Sequence, residues 1–119
     1  MVDDSFNSEV QKIAMEIIAY SGDGRSKAFN ALKCAEKGKF DEADKLIEES
    51  NTAIGKAHDV QSKMLVDEAN GKLLPFSILT VHAQDHFMTS MLANDLIKEM
   101  IQMEKNHWIE RNKFSHEKI

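Results

Sequence analysis

Residues 40–77, FDEADKLIEESNTAIGKAHDVQSKMLVDEANGKLLPFS, decide the fold. Ala43, Ile47, Ser50, Ile54, Ala57, Gln61, Met64 and Glu68 recur at alternating steps of four and three, the spacing of one helix face. Ser50, Gln61 and Glu68 are polar breaks in a heptad-like seam, and Leu46, His58 and Leu65 flank it. Asp41 and Glu42 suit a first helical turn, where the dipole favours negative charge. Gly71 supplies a stop, and Pro75 blocks backward extension of whatever follows. A helix over about 40–70 is therefore expected.

Two further helical patterns flank it. Upstream, Ile13, Ile17, Tyr20, Ala28, Ala31, Leu32 and Ala35 keep a helical spacing over about 5–36, with Ser5 or Ser8 as caps and Gly38 as terminator. SGDGRS at 21–26 interrupts this pattern, since each glycine costs about 1 kcal/mol against alanine in a helix. The apolar stripe resumes in phase, which favours one helix with room for a kink at Gly22–Gly24. In the same segment Asp23 and Arg25 could form a local ion pair worth under about 1 kcal/mol, or shape a pocket. Downstream, a helix is expected over about 77–106, followed by a polar tail, HWIERNKFSHEKI, prone to fray. Within that tail Trp108 and Phe114 could still reach the bundle. Three long helices with short links read as an all-α, antiparallel up-down-up bundle, one domain over 1–119. Apolar stripes this generous on so thin a bundle predict self-association.

Bulk numbers agree and exclude several classes. Only 7% of the residues are aromatic and one is proline, which leans away from a β-protein. A net charge of −5 with mixed signs argues against a nucleic-acid partner. The single cysteine, Cys34, can form neither an internal disulfide nor a zinc knuckle, and reads as a small helix residue. The stretch MVDDSFNSEV is not a signal peptide, and no window has the roughly 20 apolar residues of a membrane span, so a cytoplasmic protein is expected.

Chemistry concentrates in TVHAQDHFMTSML, residues 80–92. His82, Asp85, His86 and Thr89 share one helix face, flanked by Val81, Met88 and Leu92, so the polar groups are expected to interrupt an apolar stripe. Three readings compete. One is a satisfied polar patch in a non-catalytic helical adaptor. Another is a metal site on His82, Asp85 and His86. Against it, a di-iron bundle needs two Glu-x-x-His pairs and this chain has only Glu104–His107, while the His-Glu-x-x-His of zinc proteases is absent. The third is a phosphoryl-carrying histidine. A neutral imidazole is nucleophilic, its usual pKa of about 6.5 leaves it mostly neutral near pH 7, and apolar neighbours lower that further. No glycine-rich phosphate loop points to a nucleotide donor.

AYSGDGRSKAFNALKCAEKGKFDEADKLIEES (19–50), AHDVQSKMLVDEANGKLLPFS (57–77) and HAQDHFMTSMLANDLIKEMI (82–101) resemble the lactose/cellobiose-type enzyme IIA of the bacterial phosphoenolpyruvate-dependent sugar phosphotransferase system. The similarity spans about residues 10–105, and the His-small-Gln-Asp-His core after LPFS is its specific part. The resemblance implies a homotrimer, a nine-helix bundle. It implies that His82 accepts phosphate from the carrier HPr and passes it to a cysteine of enzyme IIB, and through it serves the membrane enzyme IIC in uptake of a disaccharide such as cellobiose or lactose. It also implies that Asp85 from each of three subunits meets a divalent ion, Mg2+ by preference, at the trimer axis. Three like carboxylates would otherwise repel, and a hard cation answers them with oxygen ligands. His86 would support His82. Roles for Gln84 and Thr89 stay open, and His58 reads as a packed or surface histidine.

Overall fold

The computed structural model describes residues 4–72 and 77–117, with side chains placed for 8–72 and 77–113. Three helices follow in order: α1 (Asp4–Glu36), α2 (Phe40–Ala69) and α3 (Ile78–Glu117). They pack side by side into a rod of 77 × 20 × 19 Å. α1 is the central element and packs along both partners, while α2 and α3 meet each other least.

Local chemistry sets the ends. Gly38 takes φ +78° and Gly71 takes φ +90°, where a side chain would be strained. At the first, Gly38 N–H donates to Ala35 O (2.9 Å) and Lys39 N–H to Cys34 O (2.9 Å). At the second, Gly71 N–H donates to Glu68 O (3.0 Å) and Lys72 N–H to Asp67 O (3.0 Å). Both are Schellman closures that satisfy the last carbonyls of α1 and α2. α3 opens on a reciprocal cap: Thr80 N–H donates to Ser77 Oγ (3.1 Å) and Ser77 N–H to Thr80 Oγ1 (3.2 Å). Asp41 and Glu42 occupy the first turn of α2 as expected. Ser5 and Ser8 do not cap α1; the helix already includes them. Pro75 and the side chain of Phe114 lie outside the described residues.

The core has two apolar halves separated by a polar layer. One half gathers Ile17, Ile54, Ala57, Met64, Ala83 and Phe87; the other gathers Ala28, Ala31, Ala35, Ala43, Ile97 and Ile101. Of the α2 seam, Ala43, Ser50, Ile54, Ala57, Gln61 and Met64 are buried, Ile47 is half-buried, and Glu68 is exposed. Between the halves, Ser50 Oγ donates to Gly24 O (2.6 Å), and Asn94 Nδ2 donates to Ser50 Oγ (2.8 Å) and Asn51 Oδ1 (3.1 Å). α1 runs through Gly22–Gly24 without a break. Gly24 is there for contact: a Cβ would lie 2.7 Å from both Cγ1 and Cδ1 of Ile54. α2 therefore crosses α1 where α1 has no side chain.

α3 departs from the expected end near Asn106 and continues to Glu117. No glycine or proline stops it after Ile78. Trp108 also anchors this stretch, edge-on to Phe40 at 6.1 Å and over the backbone of Gly38, where a Cβ would lie 2.7 Å from the indole. Arg111 covers the same ring at 5.5 Å. Cys34 is a half-buried helix residue.

Candidate functional site

α3 has two faces. Ala83, Phe87, Ser90, Asn94, Ile97 and Ile101 turn inward. The outward face carries a second apolar stripe, Ile78, Val81, Met88, Leu92, Leu96 and Met103, with Ile78 87% exposed and Met103 68%. Asp85 sits exposed within this stripe. His82 is exposed at its edge, on the side toward α1, and His86 is half-buried between that edge and α1. The polar groups interrupt the apolar stripe of Val81, Met88 and Leu92, as the spacing suggested, but that stripe is not the core one. It faces outward, because a forty-residue helix with apolar residues on two faces can bury only one of them in a three-helix rod.

His82 and His86, one turn apart, stack with ring centroids 5.8 Å apart at 24°. α1 approaches them at Gly22, whose Cβ, if present, would lie 3.5 Å from His86 Nε2. A residue without a side chain thus leaves the imidazole edge against helix backbone. Burial, the guanidinium of Arg25 and the neighbouring His82, in that order, hold the His86 pKa below the ordinary histidine value. His86 is therefore a neutral imidazole at neutral pH, one nitrogen a donor and the other an acceptor.

The remaining candidates separate. Gln84 points the other way, toward α2: Gln61 Nε2 donates to Gln84 Oε1 (2.6 Å) and to Met88 Sδ (3.8 Å). It ties α3 to α2 and lies off the histidine face. Thr89 Oγ1 donates to Asp85 O (2.8 Å) and His86 O (3.2 Å), so its hydroxyl serves the helix backbone. His58 is exposed on α2, its ring 6.0 Å from Phe87. Asp23 pairs with Lys27 one turn on (3.1 Å), not with Arg25. Among the described residues no three His, Cys, Asp or Glu side chains gather as a metal site within the chain.

Two neighbours of the histidine pair were not singled out in the sequence: Gly22, taken only as a helix interruption, and Arg25, read as a local ion-pair partner or a pocket-shaping residue. One signal was available. Lys27 has an acid four residues back in Asp23, whereas Ser21, Gly22, Ala28 and Phe29, the helical neighbours of Arg25, include no acid.

Comparison with known proteins places this geometry. Residues 12–105 match the family described as PTS system, Lactose/Cellobiose specific IIA subunit. The lactose-specific EIIA component of the PTS from Staphylococcus epidermidis is 45% identical over 97 residues, covering 82% of this chain and 93% of that protein. Its counterpart from Lactococcus lactis subsp. lactis is also 45% identical, covering 82% and 92%. The crystal structure of the PTS cellobiose-specific enzyme IIA from Bacillus anthracis superposes with a TM-score of 0.81 at 33% identity, covering 92% of this chain and 95% of that one. A IIA(chitobiose) chain, solved in complex with HPr from the N,N'-diacetylchitobiose branch of the Escherichia coli phosphotransferase system, gives 0.69 at 40% identity, covering 80% and 92%. The chain belongs to the lactose/cellobiose-specific IIA family of the phosphotransferase system.

Proposed function

We propose that this protein is a phosphohistidine relay in which His82 accepts a phosphoryl group from phospho-HPr and passes it to a cysteine of its enzyme IIB. The observation that carries the reading is the imidazole pair. One ring is exposed on a long, regular helix, and a half-buried neutral ring stands beside it. A structural pair in an adaptor would have little reason to leave His82 in solvent within reach of partners.

The chemistry is an exchange between two nitrogens. The lone pair of the unprotonated His82 nitrogen forms the new N–P bond, and the electrons of the old N–P bond return to the donor imidazole. In the second transfer a cysteine thiolate forms the S–P bond, and the N–P electrons return to His82. Neither step needs a nucleotide. His86 can donate a ring N–H to a phosphoryl oxygen. Met15 and Phe29 on α1 stand exposed on the same side as Gly22, and give an apolar rim on which two partners can dock in turn. Such docking is expected to be brief, with a small interface, because the carrier must let go.

The outward stripe of α3 supports the homotrimer. Six exposed apolar side chains on one line are a surface that a second and third copy would bury. Asp85 lies among them, a lone carboxylate between Val81, Met88 and Leu92. One chain cannot complete a cation site there, but three copies brought together on this stripe supply three oxygen donors, which fits a divalent ion such as Mg2+. That ion would neutralise the carboxylates of the assembled core.

The test is forward transfer. The chain is phosphorylated, freed of HPr and mixed with enzyme IIB. The phosphoryl group is expected on the IIB cysteine, with the chain returned to its unmodified mass. Retention of the phosphoryl group against an active IIB would refute the second half of the relay.

A further inference from the structure

We propose that Arg25 binds the phosphoryl group on the histidine pair, acting from α1 across the α1–α3 interface. This rests on the relay reading and adds a residue to its site. Three observations carry it. Gly22 is the point where α1 meets His86, 3.5 Å from Nε2 to the position of a Cβ. Arg25 follows Gly22 by three residues, so it projects from the same side of α1, one turn along. Among the described residues Arg25 forms no ion pair, while the adjacent Asp23 is engaged by Lys27 at 3.1 Å.

Charge gives the arrangement its purpose. A phosphorylated imidazole carries a doubly ionised group into a region whose own ionised neighbour on α3 is the anion Asp85. The two histidines offer no positive charge when neutral. An unpaired guanidinium one turn from Gly22, where α1 meets His86, supplies the missing cation. Its planar fork matches two phosphoryl oxygens, and its charge is independent of pH in the working range. Arg25 is exposed, so it can also follow the group as it passes to a partner.

The experiment compares Arg25→Gln and Arg25→Lys with the wild-type chain. In the first arm, the rate of phosphoryl transfer from phospho-HPr is followed with enzyme I and phosphoenolpyruvate present. Arg25→Gln is expected to slow transfer about ten- to a hundredfold, below the hundredfold or more that a fully sheltered donor commands, and Arg25→Lys less than tenfold. In the second arm, inorganic phosphate is titrated into the unphosphorylated chain while the imidazole resonances of His82 and His86 are monitored. Phosphate is expected to shift them in the wild type, and at least tenfold more weakly in Arg25→Gln. Melting and far-ultraviolet dichroism are expected to match the wild type, as Arg25 is exposed. Wild-type transfer rates in Arg25→Gln, or a phosphate titration that is flat in the wild type or unchanged in the variant, overturn the proposal. A wild-type chain that takes no phosphoryl group from active HPr defeats the relay instead, and the phosphate titration still decides Arg25.

Discussion

Replacing Gly24 and Gly55 separately by alanine separates packing from helix propensity. Both lie inside helices, where alanine is worth about 0.5–1 kcal/mol over glycine. At Gly55 a Cβ meets nothing within 4 Å, so Gly55→Ala is expected to gain that amount. At Gly24 the new Cβ would sit 2.7 Å from Cγ1 and Cδ1 of Ile54 and 3.3 Å from Ser50 O. Ile54 is 7% exposed and β-branched, so it has little freedom to turn away. The backbone oxygen cannot retreat without moving α2. Overpacking of this kind costs about 1–3 kcal/mol, which offsets the helix gain and leaves Gly24→Ala between neutral and a net loss of about 2.5 kcal/mol. For a chain of 119 residues that corresponds to about 4 °C of melting temperature per kcal/mol. Denaturant and thermal unfolding at one fixed protein concentration would measure it, since assembly makes stability concentration-dependent. Ile54→Val, which removes Cδ1, should restore part of the loss in the double variant. Gly24→Ala stabilised as much as Gly55→Ala would refute the close-crossing account of α1 and α2.

Three other outcomes follow from the structure. Because the His86 pKa is lowered in the folded chain, the unfolded chain binds the extra proton first. The His86 contribution to stability is therefore full above about pH 6.5 and lost as pH falls through its folded pKa, and His86→Gln should flatten that acid limb in denaturant titrations. Asp85→Leu should abolish a bound-metal signal of one divalent ion per three chains while the trimer persists in sedimentation, since an apolar residue can replace a charge cluster; a monomeric variant, or one transition-metal ion per wild-type chain, would count against the assignment of Asp85. Asn94→Ala removes the donor to Ser50 and Asn51 in the buried polar layer and should destabilise the chain by about 1–3 kcal/mol in the same unfolding assay.

Much of this fold is written in local chemistry. Gly38 and Gly71 end their helices through short-range bonds, and the α2 seam is a periodic pattern that needs no tertiary knowledge. What depends on tertiary contact was less legible. The glycines at 22 and 24 read as weaknesses of α1, yet each marks an approach of another helix, which only the packing reveals. The continuation of α3 past Asn106 is accompanied by Trp108 packing on Phe40 and Gly38, far away in sequence. The histidine motif stood out by composition, and its placement beside α1 did not. Periodicity alone cannot tell which of two apolar faces on α3 enters the rod. Arg25 carries a sequence trace, a cation without an acid at helical distance, but that becomes informative only once Gly22 is seen against His86.

The central claim is that His82 carries the phosphoryl group, and intact mass measurement tests it most directly. The wild-type chain, His82→Ala and His86→Ala are each mixed with enzyme I, HPr and phosphoenolpyruvate. The account predicts one added phosphoryl group on the wild type, lost in acid, none on His82→Ala, and slower addition to His86→Ala with the same final mass. Addition to His82→Ala, or none to the wild type with HPr shown to be phosphorylated, would contradict it.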